Sequence, residues 1–103
     1  MYQKMEMAAG LEAFRNTPDA ILVDVRNPSE YQNGHIPGSV NFAMSRILKE
    51  AEEEFPHKDV PLYVYCQSGA RSARAGKLLD LLGYENVTDL GGISGYTGPV
   101  EKK

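Results

Sequence analysis

Two short runs constrain this chain most. Ile21-Leu22-Val23-Asp24-Val25 and Leu62-Tyr63-Val64-Tyr65 are nearly continuous in apolar or aromatic residues. Neither alternates with polar residues, so each reads as a strand buried on both faces, as in a parallel sheet. Parallel neighbours need a crossover connection, and around these runs the apolar period becomes helical. Met7, Leu11 and Phe14 share one helical face, and Met44, Ile47, Leu48, Ala51 and Phe55 share another. Asn27-Pro28-Ser29-Glu30 reads as a helix start, with Asn27 at the N-cap, Pro28 at the first helical position and Glu30 closing a capping box; Asn33-Gly34 ends that helix. From Ser72 to Leu82, the stripe of Ala75, Leu78, Leu79 and Leu82 predicts the clearest helix, with Gly83 placed for a left-handed C-terminal cap. Tyr2 to Met5, Ser39 to Phe42 and Val87 to Asp89 are weaker strand candidates. The expectation is a three-layer α/β fold: about five mainly parallel strands, the two apolar runs at the centre, and helices on both faces.

At 103 residues, 42% apolar and 24% charged, the chain reads as a single domain over residues 1–103. It has one cysteine, so no internal disulfide can form, and a reducing compartment suits it. Met1 to Gly10 holds two charges and no apolar run of signal-peptide length, and no later stretch is apolar enough to span a bilayer. The expectation is therefore a soluble, cytoplasmic protein with no membrane partner. A net charge of -3 argues against a nucleic-acid partner, which would call for a concentrated basic face.

The chemistry concentrates in Cys66-Gln67-Ser68-Gly69-Ala70-Arg71-Ser72, between a buried strand and a helix. That is the carboxyl end of a parallel strand, where open α/β sheets place their sites. Gly69 permits backbone angles that turn successive N–H groups inward, giving an anion-binding nest closed by the helix N-terminus. The helix start and the neighbouring Arg71 both favour the thiolate of Cys66. The planar fork of Arg71 is also suited to the oxygens of an anionic sulfur donor.

The loop Cys66-x-x-Gly69-x-Arg71-Ser72 resembles the active-site loop of the rhodanese (sulfurtransferase) family. Leu22-Val23-Asp24-Val25-Arg26, with Glu30-Tyr31 and Gly34-His35-Ile36-Pro37-Gly38, is similar to the family's upstream signature. Leu90-Gly91-Gly92-Ile93 resembles its last strand-to-helix turn. The likeness runs in the family's order from Ile21 to Tyr96. It implies a two-step cycle: Cys66 takes sulfane sulfur from a donor such as thiosulfate, then passes it to cyanide, a thiol or a protein acceptor. No metal or organic cofactor is implied. The amides of Gln67, Ser68, Gly69, Ala70, Arg71 and Ser72 would cradle the persulfide, Arg71 would bind the anion, and the Ser68 hydroxyl would add a donor. Related phosphatases and arsenate reductases resemble one another in a loop one residue longer; the tighter nest here suits a single sulfur better than a tetrahedral oxyanion. Tyr96 stands where many members carry tryptophan, and Gln67 and Ala70 are neutral where some carry a further cation. Those neutral positions favour an alternative, a sulfur-carrier or docking module loaded by a partner protein with little turnover of small donors.

Other polar residues read as structural. Asp24, Arg26 and Glu30 are expected to form one network anchoring the strand end and the short helix. His35 is expected to stabilise a turn. Ser72 is balanced between a functional role and a helix cap. The acidic run Glu50 to Glu54 belongs on a solvated face, and Tyr63 and Tyr65 in the core.

Overall fold

The computed structural model describes residues 1–102. Five strands form one sheet: β1 (Tyr2–Lys4), β2 (Ile21–Asp24), β3 (Ser39–Asn41), β4 (Leu62–Cys66) and β5 (Val87–Gly92). Their order is β1-β5-β4-β2-β3, and every neighbouring pair is parallel. The four helices are α1 (Met7–Arg15), α2 (Pro28–Gln32), α3 (Ile47–Glu54) and α4 (Ala70–Leu81), with 3-10 turns at Met44–Arg46 and Ile93–Gly95. The α/β architecture expected from the two apolar runs is thus present. β4 is the central strand, and β2 is one of its two neighbours.

Side chains of β4 alternate between two cores. Leu62, Val64 and Cys66 face the layer of α3 and α4 with Ile47, Ala51, Ala75 and Leu79, while Tyr63 and Tyr65 face α1 with Met7, Leu11 and Leu90. The strand is buried on both faces, which is why it reads as an unbroken apolar run. The close packing of α1 uses a glycine. A Cβ on Gly10 would stand 2.1 Å from Leu90 Cδ2, so the residue that weakens α1 as an isolated helix lets it lie against β5.

α4 begins at Ala70 rather than Ser72, and Gly83 ends it as expected, at φ 98°. The Gly83 N–H donates to the Asp80 carbonyl and the Tyr84 N–H to that of Leu79, satisfying two of the last carbonyls of the helix. Leu48 corrects one expectation. Its spacing puts it on the apolar face of α3, but it is 67% exposed, because Ile47 and Ala51 are the residues α3 turns inward. No helix among the described residues is long and apolar enough to cross a membrane.

β5 is longer than the Val87-to-Asp89 segment read from sequence, and it is irregular where it matters. Val64 pairs with Asp89 and Cys66 with Gly92, so β5 carries an extra residue opposite the end of β4. Gly91 occupies the bulge at φ 81°, and its N–H donates to Asp89 Oδ1 at 2.9 Å.

Candidate active site

Cys66 is the last residue of the central strand, and its side chain is buried, 1% exposed. The chain then reverses within three residues. Gly69 adopts φ 108°, a conformation an L side chain would strain, and it serves as N-cap of α4. Its N–H is thereby aimed at the sulfur, donating to Cys66 Sγ at 2.9 Å. The Ala73 N–H donates to the Gly69 carbonyl and starts the helical ladder. The thiol therefore lies against the positive end of a twelve-residue helix.

The back of the cradle is β5. A Cβ on Gly92 would stand 2.3 Å from the Gln67 carbonyl oxygen and 2.7 Å from Ser68 Cα, so only glycine allows the loop backbone to lie so close. The Ser94 N–H donates to that Gln67 carbonyl at 3.2 Å. The buried Ser72 hydroxyl is shared between the Gly69 and Gly91 carbonyls, at 3.2 and 3.3 Å, joining loop to bulge. Ser72 thus stitches the cradle together and does not cap the helix. Gln67, Ser68 and Ala70 form the exposed rim.

Two arginine forks brace the loop from the side of β2. Arg26 grips Asp24 through Nε and Nη2, at 2.7 to 3.1 Å, and both residues are buried. Its Nη2 also donates to the Gly34 carbonyl at 2.7 Å, and its Nη1 to Gln67 Oε1 at 3.2 Å. The expected polar network thus exists for Asp24 and Arg26, with Gln67 as an additional member. Glu30 departs from it. Its carboxylate receives Arg71 Nη1 at 2.7 Å and Nη2 at 2.9 Å, a two-toothed ion pair between α2 and α4. Oε1 of Glu30 also accepts the Asn27 N–H at 3.0 Å, the helix-start contact expected of it.

This pairing modifies the picture of Arg71 as a free cation over the loop, since one edge of its fork is filled. Among the described residues, its remaining N–H donors have no protein acceptor. Hydrogen bonding to Arg71 holds the Glu30 carboxyl down at about 2. The guanidinium is stabilised in return, chiefly by its hydrogen bonds to Glu30. Nothing in local spacing points to the fork, because 41 residues separate its partners.

His35 is buried in its turn. Nδ1 donates to the Tyr31 carbonyl at 2.8 Å, and the ring stacks on that of Tyr31 at 3.7 Å. Tyr65 is fully buried, with its hydroxyl against the Ile36 N–H and Ser39 Oγ; burial raises its pKa well above the usual phenol value, so it is a core residue. Two surface cavities lie apart from the loop. One of about 250 Å³ is lined by α1 and residues 95–99; the other, about 620 Å³, by Pro18, Asp19, His57, Asp59, Val60 and Pro61.

The family profile described as "Rhodanese-like domain" matches residues 7–98. Uncharacterized protein YqhL of Bacillus subtilis is 39% identical over 85 residues, covering 82% of this chain and 66% of that protein. Thiosulfate sulfurtransferase PspE of Escherichia coli is 31% identical over 80 residues, covering 78% of this chain and 77% of that protein. A solved structure described as a rhodanese with anions from E. coli superposes with a TM-score of 0.74 at 30% identity, covering 82% of this chain and 99% of that one. The chain spans just under two thirds of the length of YqhL. The matched profile and these likenesses show that the chain belongs to the rhodanese-like domain family.

Proposed function

We propose that this protein is a sulfurtransferase that carries sulfane sulfur as a persulfide on Cys66. The observation that carries this reading is the Gly69 N–H directed onto Cys66 Sγ at 2.9 Å from the start of α4. A backbone donor fixed in that position stabilises negative charge on sulfur without reorganisation. With thiosulfate as donor, the Cys66 thiolate attacks the outer sulfur, a new S–S bond forms, and the old one breaks with its electron pair leaving on sulfite. Cyanide or a thiolate then attacks the outer sulfur of the persulfide, and the thiolate of Cys66 is released. The cycle requires no second acid or base, because both leaving groups depart as anions. Support also comes from the E. coli relative described with anions bound and from the thiosulfate sulfurtransferase PspE.

Gln67, Ser68, Gly69, Ala70 and Ser72 form or brace the cradle in this reading, and Arg71 meets the anionic part of the donor. The parts it invokes, from Asp24 through Arg26, Glu30 and the loop to Gly92, are confined to this one sheet and its helices. A single free thiol suits a reducing compartment such as the cytoplasm.

A second reading is a sulfur carrier loaded by a partner protein. It is favoured by the neutral rim of Gln67 and Ala70 and by the filled edge of Arg71, both of which weaken the pull on a small dianion. Steady-state turnover separates the two. Thiocyanate formed from thiosulfate and cyanide, and lost in Cys66→Ser, supports the enzyme. Efficient sulfur loading from a cysteine desulfurase with negligible thiosulfate turnover supports the carrier. Loading from neither refutes both.

A further inference from the structure

We infer that Glu30 is a positioning residue for the sulfur site: its carboxylate holds Arg71 so that the free edge of the guanidinium faces an anion arriving at Cys66. This deepens the proposed function and rests on Cys66 being the reactive thiol.

The fork has a geometry that stability does not explain. Its members are 31% and 33% exposed, and an ion pair so open to water adds little to folding. A long arginine side chain left free at a helix start would sample many rotamers and be slightly disfavoured by the helix dipole. Two parallel hydrogen bonds at 2.7 and 2.9 Å remove that freedom and fix the plane of the guanidinium. Glu30 is itself held, because Oε1 takes the Asn27 N–H at the start of α2. The chain of restraint therefore runs from the backbone of α2 through Glu30 to Arg71 and the loop. Arg71 stands in the first turn of α4, two residues after Gly69, whose N–H meets Cys66 Sγ, so fixing its guanidinium fixes a cation on the same short loop that holds the sulfur. The pair also stays ionised at any pH where a thiolate reacts.

Simple charge neutralisation is the opposing idea: if Glu30 only cancels Arg71, removing its charge strengthens the pull on anions. Glu30→Gln discriminates between them. Glutamine keeps an oxygen for the Asn27 N–H and one arginine N–H, but its NH2 group cannot accept the second. The test compares alkylation of Cys66 by anionic iodoacetate and neutral iodoacetamide in wild type, E30Q and Arg71→Lys, with a thermal melt of each. Expected is a ratio of iodoacetate to iodoacetamide rates that falls about tenfold in E30Q, the loss of one charge-assisted hydrogen bond. R71K should fall similarly, and neither melt should move appreciably. The KM for thiosulfate, where turnover is measurable, rises by the same factor with kcat little changed. A ratio that is unchanged or higher in E30Q overturns the inference while leaving the sulfurtransferase reading intact. Wild-type Cys66 that reacts with neither reagent overturns the reactive-thiol reading, and the inference with it.

Discussion

The two arginine forks beside the cysteine loop use the same pair of functional groups and do opposite things. Arg26 and Asp24 are buried, 4% and 0% exposed, and Arg26 also reaches Gly34 and Gln67. Arg71 and Glu30 are about one third exposed, and Arg71 keeps donors that no described residue takes. Deep in the protein, each charge depends on its partner, because losing one strands the other away from water. At the rim, water replaces either partner at small cost, so the pair's value lies in direction. An ion pair's exposure thus separates a structural anchor from a positioning device within one site.

The largest effect that could break this contrast is at Asp24. Asp24→Asn leaves Arg26 buried without its counter-charge and is expected to cost about 3–5 kcal/mol in a urea unfolding curve. If it costs no more than E30Q, the distinction between the forks fails. Next is the wall they both press the loop against. Gly92→Ala must push aside the Gln67 carbonyl and Ser68 backbone, at a cost of about 1–3 kcal/mol. Sulfur loading should fall more than that loss of stability explains, and a loading rate equal to wild type would show that the loop tolerates movement.

Smaller is the stability effect of E30Q, expected below about 1 kcal/mol near neutral pH. Its pH dependence sharpens the point. The Glu30 carboxyl is lowered in the folded protein from its usual 4.5 to about 2, so the pair's contribution is complete above 4.5 and is lost as pH falls toward 2. The difference in urea midpoint between wild type and E30Q should be constant from pH 5 to 8 and shrink below that window. Smallest is Leu48→Lys, on the outer side of α3, which should leave the midpoint within about 0.5 kcal/mol of wild type.

Much of the fold was legible because β2 and β4 are buried on both faces, and strands so placed leave an unbroken apolar trace in the sequence. β5 was only half legible: Leu90-Gly91-Gly92 looks like a turn, yet Gly91 makes a bulge and Gly92 continues the strand against the loop. Leu48 misled because one apolar residue at helical spacing fits either edge of a stripe. Within the site, the Cys66-to-Ser72 segment was legible from its strand-to-helix position and its glycine. The Glu30–Arg71 fork was not, because Glu30 sits in sequence close to Asp24 and Arg26, while its partner lies 41 residues away. Sequence neighbours share a segment, whereas α2 turns Glu30 away from the strand end and toward α4.

The reading of Cys66 as a sulfur carrier atom is tested most directly by weighing the intact protein after incubation with thiosulfate, and separately with a persulfide donor. A gain of one sulfur atom, mapped to the peptide holding Cys66 and discharged by cyanide, is the predicted result. A protein that gains no mass from either donor would contradict it.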